Sequence, residues 1–404
     1  MAPYASLSCG GEHTLLVDRS GALASAGACG LGWNAQLPGS QTQATLDARA
    51  TPCAVGAFFA AVEGTTRQKA TRTSMPPVHK AIGGYYHSLA ISTAGRLFAW
   101  GCGNFGVMND GQIGLGRAKR ECTSPAEVPL ALEAGETVVD AAAGCYHSAV
   151  LTSKRRVFTF GLNNYGQLGR GGIASGAPVP RSPPAEGDAD DDYADGVPRT
   201  MEHGASDVEA VGAGFYNVYV LTRGGGLTCS GSNAARQCGS AEATHNAPAE
   251  VPELSGVALQ HVTGGYCHTI ALGKDGAVYT LGCGEDGQRG DARPLEVDEV
   301  PESQQEAHDI LVEEHEPCEL TTVALPEASG GARAVAAGTN HSLALSSCGK
   351  WLWGWGSNEH GQLGESVPEG VSTPRRLALP LAEGETMQVH GGQSPPQLES
   401  HGCL

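Results

Sequence analysis

Five histidines recur in one setting, and a hydroxyl follows each directly: Gly10-Gly11-Glu12-His13-Thr14, Gly84-Tyr85-Tyr86-His87-Ser88, Gly144-Cys145-Tyr146-His147-Ser148, Gly265-Tyr266-Cys267-His268-Thr269 and Gly338-Thr339-Asn340-His341-Ser342. A histidine next to a hydroxyl is the raw material of a general base and its nucleophile. Two other groupings could hold a metal: the alternating acids Asp188, Asp190 and Asp192, and the pair His308 and His315. Each fails on spacing. Neighbours in a strand point to opposite faces, so a His and the hydroxyl after it cannot form a dyad there. Tyr193 stands where a calcium loop needs Gly, and Arg199 where it needs Glu. The two histidines share a helix face but lack a third ligand. There is no phosphate-binding Gly-x-x-x-x-Gly-Lys-Ser/Thr, no His-Glu-x-x-His and no Gly-x-Ser-x-Gly. The sequence therefore predicts no catalytic residue, no metal and no cofactor.

Five copies of one histidine cannot all serve one active site, so the motif reads as a building unit. A sixth copy carries Asn in place of His, Gly214-Phe215-Tyr216-Asn217, and a seventh is degraded, Gly391-Gly392-Gln393-Ser394. The copies are spaced by roughly 50 to 75 residues, the scale of a stacked or ring-shaped repeat protein. His13, His87, His147, His268 and His341, with Asn217, are expected to be architectural, tying strand to turn by hydrogen bonds. After each comes a short apolar strand, a turn such as Ala94-Gly95 or Asp275-Gly276, and a second strand ending on Gly, as in LFAWG and VFTFG. This is a hairpin pattern, with Gly supplying the positive φ of the turn. A Gly- and Asn-rich tail follows, then a Pro-x-x-Val/Leu element, as at Pro125 to Val128, that suits the first residue of an edge strand. Three or four short strands per unit, repeated about seven times, predict an all-β fold: a seven-bladed β-propeller with an incomplete closing blade.

The combination resembles the regulator of chromosome condensation family, whose repeat joins Gly-x-x-His-Ser/Thr, a strand ending Trp-Gly, and x-Asn-x-x-Gly-Gln-Leu-Gly. The match is clearest at Gly161 to Gly169 and at Gly356 to Gly364, and the pattern covers nearly the whole chain. The resemblance implies a propeller that docks one face on a protein partner. Well-known members catalyse guanine nucleotide exchange on the small GTPase Ran, helped by acids in the two positions between Gly and His. Here those positions are mostly aromatic, and only Gly11-Glu12 contains an acid. The plant ultraviolet-B receptors of similar fold use Gly-Trp-Arg-His-Thr motifs, whereas no Trp adjoins the repeated His here.

The chain is expected to be one propeller domain over 1–404, interrupted by inserts. An acidic Pro- and Gly-rich loop is expected over about 171–196, and an acidic helical insert over about 291–317, where Ser303 and Glu306 form a capping box. Extra residues around Met108 and Asn109 lengthen the second tail into a candidate partner-binding loop. The turns before each His should gather on one face. Glu12, Tyr85, Tyr86, Tyr146, Phe215, Tyr216, Tyr266 and Asn340 are therefore the candidate partner-binding residues, with the aromatic ones ringing the axis.

With 43 acidic against 25 basic residues, the chain carries a formal charge of −18. Such a surface disfavours nucleic acid and anionic lipid. The 13 cysteines include no Cys-x-x-Cys, which points to reduced thiols, and the first residues carry no secretory pattern. A soluble protein of the cytoplasm, or of the nucleus, is expected, with no membrane insertion. Its expected activity is regulation of a small GTPase of the Ran type by nucleotide exchange; a non-catalytic scaffold is the alternative.

Overall fold

The computed structural model describes residues 4–9, 13–18, 20–27, 49–54, 58–59, 72–73, 75–103, 111–116, 119, 121–171, 194–293, 320–326, 330–359, 361–364, 367–368 and 370–377. They form six four-stranded antiparallel sheets, each with its strands in chain order, and a two-stranded ribbon of Phe58–Phe59 and Arg72–Thr73. Blade 1 holds Tyr4–Cys9, His13–Asp18, Leu23–Gly27 and Arg49–Ala54. Blade 2 holds Val78–Gly83, His87–Ser92, Leu97–Cys102 and Glu121–Glu127. Blade 3 holds Val138–Ala143, His147–Thr152, Val157–Leu162 and Ala194–Met201. Blade 4 holds Val208–Ala213, Asn217–Thr222, Leu227–Ser232 and Thr244–Glu250. Blade 5 holds Leu259–Gly264, His268–Gly273, Val278–Gly282 and Thr321–Thr322, and blade 6 holds Ala332–Ala337, His341–Ser346, Leu352–Ser357 and Gly370–Leu377. The fold is the all-β propeller of the seven-bladed plan. The degraded seventh unit from Gly391, most of the two expected acidic inserts (172–193 and 294–317), and Glu12, Met108 and Asn109 lie outside the described residues. Among the described residues no helix is long and apolar enough to cross a membrane.

Second and third strands are buried along their whole length in blades 2, 3 and 6, with no alternation of inside and outside. The reason is stacking. Each blade has a neighbour on both faces, so its central strands meet apolar surface whichever way a side chain points. The core is accordingly a series of layers between blades. One layer joins Leu15 and Val17 of blade 1 to Phe158 and Phe160 of blade 3 through blade 2, and others join successive pairs onward to Trp353 and Trp355 of blade 6. Fourth strands alternate and are partly exposed, as an outer edge should be. The prolines expected at the first residue of an edge strand instead lie inside it. Pro125 sits where the pairing of the third and fourth strands of blade 2 skips between Cys122 and Ala126, so no ladder donor is lost.

The recurrent histidine makes bonds beyond its own blade. It reaches the next blade. His13 Nε2 lies 2.8 Å from Ser88 Oγ, His87 Nε2 2.8 Å from Ser148 Oγ, and His268 Nε2 3.0 Å from Ser342 Oγ. Ser148 Oγ donates in turn to the carbonyl of Gln112 at 2.8 Å, and Ser342 Oγ to that of Gln288 at 2.9 Å. With the hydroxyl proton committed to the carbonyl, the imidazole must donate from Nε2. Ser148 and Ser342 are thus each clamped between a His and the Gly-Gln tail of the preceding blade. The spacing matches a base–nucleophile dyad, but His87, Ser148 and Ser342 are sealed from solvent, which leaves no approach for a substrate.

Blade 4 lacks the motif and satisfies the same bonds differently. Val218 stands where the hydroxyl would be; its cross-strand partner Ser230 donates to the Gln167 carbonyl instead, at 3.2 Å. His147 Nε2 donates to the backbone carbonyl of Asn217 at 3.0 Å. Onward, Tyr219 takes the place of the missing His: its hydroxyl lies 2.6 Å from Thr269 Oγ1, which donates to the Gln237 carbonyl at 2.7 Å. Asn217 Nδ2 turns inward to Ser232 O and to the sulfurs of Cys229 and Cys238, which are joined as a disulfide. This pair is an exception to the expected reduced thiols.

The first Gly of each turn is held by contact. A Cβ on Gly84 would lie 2.6 Å from His87 Cε1 and 2.9 Å from the Gly144 carbonyl, and one on Gly144 would collide with the His147 ring. At Gly214, where Asn replaces His, the nearest atom would be 3.2 Å away. Gly144→Ala should therefore cost about 1–3 kcal/mol by overpacking, and Gly214→Ala much less, in urea denaturation of the two variants side by side. Tyr219→Phe should cost about 1–2 kcal/mol by removing the blade 4 to blade 5 clamp. An equal effect of the two glycine changes would refute the contact argument.

Candidate functional site

Every Gly-x-x-His turn closes on itself, Gly N–H to His or Asn carbonyl, at 2.8–3.0 Å from blade 2 to blade 6. The backbones of the two residues between are pinned in a common way. The first donates to the turn of the next blade: Tyr85 to Gly144 O, Cys145 to Phe215 O, Phe215 to Gly265 O and Tyr266 to Thr339 O, at 2.9–3.2 Å. The carbonyl of the second accepts from the residue after the strand-ending Gly, as from Cys102 to Tyr86, Leu162 to Tyr146 and Ser232 to Tyr216. The side chains gather at the axial end of the ring.

There they meet. Tyr85 packs edge-on against Tyr86 at 4.5 Å and against Phe215, two blades away, at 5.0 Å. Tyr86 stacks on Tyr146 at 5.3 Å, and Phe215, Tyr216 and Tyr266 touch one another at 5.4–6.2 Å. A contact between blades 2 and 4 that bypasses blade 3 makes this a cap over the axis rather than an open ring. Phe215 and Cys145 are buried as its floor; the five tyrosines are half-buried. Burial pushes the hydroxyls of Tyr146 and Tyr216 far above the ordinary phenol range, so both remain neutral donors. Asn340 shares the girdle through its carbonyl, which accepts from Ser357 at 2.8 Å, but adds no ring to the cap.

Two contributors are not apparent from the repeat pattern. Tyr165, in the tail of blade 3, joins the cap through Tyr216 at 5.0 Å. A blade's first turn and its tail both leave at the same end after an even number of strand reversals, and that parity was the available signal. In the tails of blades 5 and 6, Glu285, Asp286 and Glu359 gather; burial first, then Glu359 and Glu285, raise the Asp286 carboxyl above its usual range.

Below the cap the axis is ringed by first strands, which are one another's neighbours. Lys80 Nζ of blade 2 meets Asp140 Oδ1 of blade 3 at 2.5 Å, and Asp140 Oδ2 accepts from Val211 N of blade 4 at 3.3 Å. His261 of blade 5 is buried near this pair. Burial, reinforced by the Lys80 cation and opposed by Asp140, pushes its imidazole down to about 4 from 6.5. Among the described residues, no cluster of three or more His, Cys, Asp or Glu could hold a metal.

A family model described as RCC1-like domain matches residues 2–394. Among curated relatives, human "Probable E3 ubiquitin-protein ligase HERC4" is 31% identical over 209 residues, 51% of this chain and 17% of that protein. Human "E3 ubiquitin-protein ligase HERC2" is 26% identical over 72% of this chain and 5% of its own length. The chain thus spans a minor part of these relatives. Among solved structures, Prp20p of Saccharomyces cerevisiae, described with binding properties to Gsp1p and histones, superposes with a TM-score of 0.67 at 22% identity, covering 93% of this chain and 77% of that one. Human WBSCR16 gives 0.67 at 20%, covering 93% and 83%. At such identities the likeness shows the fold alone.

The His261 environment predicts a pH dependence. The unfolded chain protonates this imidazole near 6.5, the folded one near 4. As pH falls between these values the unfolded state binds the proton first, so stability is full above 6.5 and declines below it. Between pH 7 and 5 wild type should lose about 2 kcal/mol more than His261→Gln, by denaturant titration at the two pH values.

Proposed function

Because the chain belongs to the RCC1-like domain family, we propose that it is a protein-interaction propeller whose axial aromatic face docks a folded protein partner, and that its specific use is regulation of a small GTPase by guanine nucleotide exchange. The cap of Tyr85, Tyr86, Tyr146, Tyr216 and Tyr266 on Phe215 carries this reading. Tyrosines held by a rigid backbone offer large contact area at little entropic cost, with neutral hydroxyls at the rim, and Tyr is enriched among residues that dominate binding energy.

Exchange on such a surface needs no covalent chemistry. The partner's nucleotide-free form must be bound more tightly than its nucleotide-bound form, and the difference in affinity sets how far the nucleotide is weakened. Prp20p, similar in fold, is described as binding Gsp1p, which supports a GTPase as the class of partner. The acids that family members carry between Gly and His are replaced here by aromatics at the described turns of blades 2 to 5. Glu285, Asp286 and Glu359 supply carboxylates from the tails instead. The aromatic substitution itself favours the second reading, a scaffold that binds without exchanging.

Release of fluorescent GDP from Ran and a panel of other small GTPases tests the proposal. Acceleration on one of them is expected, together with a loss of about tenfold or more in affinity for that GTPase on Tyr266→Ala, at unchanged melting temperature. No acceleration by the folded protein on any member of the panel would remove the exchange reading; a stable complex without acceleration would establish the scaffold.

A further inference from the structure

Blade 5 departs from the others at the edge of the aromatic cap. Cys267 is the second residue of its turn, and Cys283 follows Gly282 at the end of its third strand. His268 pairs with Gly282 across the hairpin, so the two cysteines are the next pair outward, and Cys283 N–H donates to the Cys267 carbonyl at 2.9 Å. The same position holds Tyr86 with Cys102 in blade 2, Tyr146 with Leu162 in blade 3, Tyr216 with Ser232 in blade 4 and Asn340 with Ser357 in blade 6. Among the described blades only the fifth has sulfur on both sides.

The thiols are hydrogen-bonded to each other, and Gln288 Nε2 lies 3.9 Å from Cys267 Sγ. Both cysteines are half-buried, whereas Cys102, Cys122 and Cys145 are buried and the exposed Cys348 stands apart from them on the opposite end of its hairpin. Cross-strand residues joined by a ladder hydrogen bond sit about 5.5 Å apart at Cα, inside the range of roughly 4.4–6.8 Å that a disulfide spans. Closing the bond therefore requires side-chain rotation and a small approach of the two Cβ atoms, which a hydrogen-bonded pair holds at the wide end of the cross-strand range.

We propose that Cys267 and Cys283 are a dithiol modification site, closing to a disulfide with peroxide and capturing trivalent arsenicals as a chelate. The two sulfurs have distinct roles. The Cys267 thiol and the Glu285 backbone N–H both donate to Cys283 and lower its thiol, while Cys267, sharing its proton with Cys283 and shielded from solvent, is raised. Cys283 thiolate attacks one oxygen of hydrogen peroxide, the O–O bond breaks, and hydroxide leaves, giving Cys283 sulfenic acid. Cys267 then loses its proton and attacks the Cys283 sulfur; the S–OH bond breaks and the second oxygen leaves as water. Two thiols and one peroxide become one disulfide and two waters, with two electrons passed from sulfur to oxygen. An arsenical with two exchangeable oxygen ligands would bridge the same sulfurs and release water.

The site goes beyond the docking reading and is tested without a partner. The reduced protein is treated with hydrogen peroxide, blocked with iodoacetamide and cut with trypsin, which separates the two cysteines at Lys274. A Cys267–Cys283 linkage is expected between the Gln237–Lys274 and Asp275–Arg289 peptides, assigned to Cys267 rather than Cys238 of the same peptide by fragmentation and reversed by dithiothreitol. Phenylarsine oxide should protect both from alkylation at one equivalent, and Cys283→Ser should weaken that protection at least about tenfold, since one sulfur cannot chelate. Should Cys267 and Cys283 stay separately alkylated while Cys348 is oxidised under the same peroxide, the proposal is overturned; the wild-type map decides this even where the variant does not fold.

Discussion

The blade-to-blade clamp is the bond on which the rest of this propeller depends. Apolar layers alone would let one blade slide over the next, because hydrophobic contact is non-directional. A buried imidazole N–H, a buried hydroxyl and a buried carbonyl permit no such freedom, since leaving any of them unpaired is costly. The chain from His87 to Ser148 to the Gln112 carbonyl therefore sets the position of blade 3 on blade 2, and His268 to Ser342 to Gln288 does the same for blade 6 on blade 5. Once the blades are placed, their turns fall into line and the backbone girdle at the axis can close.

Blade 4 shows that selection of the fold acts on the bond and not on the residue. Losing His and Ser at Asn217 and Val218 removes both side chains of the clamp, yet Ser230 and Tyr219 deliver a hydroxyl to each vacated acceptor from neighbouring strand positions. The same substitution relaxes Gly214, the one turn glycine from blade 2 to blade 6 that no imidazole of its own blade presses upon. Local rule-breaking with local compensation is what a consistent fold permits.

The aromatic cap follows from what this architecture leaves over. In each turn the Gly, the His and the backbone are engaged in holding the blades together, and the two intervening side chains face those of other turns at the axis. Five blades bring ten such side chains to one end of the axis, and here they are filled chiefly with Tyr, Phe and Cys. These are positions at which the side chains differ from blade to blade. This is also where the Cys267 and Cys283 pair arises, one aromatic and one strand-end residue having both become cysteine.

Repeat period, hairpin pattern, the all-β propeller and the shared face of the turns were legible in the sequence, because each is set within one unit by alternation, turn residues and strand parity. Tyr85, Tyr146 and Tyr266 could be placed on one face for the same reason. What a histidine bonds to was decided only by the tertiary structure. His13 and Ser88 lie 75 residues apart, and no spacing within a unit reports a contact between units. The prolines inside the edge strands, the Cys229–Cys238 disulfide, and the grouping of Lys80, Asp140 and His261 are of this kind. Local propensity acts over a few residues, whereas these contacts exist only after blades distant in sequence have been stacked in register.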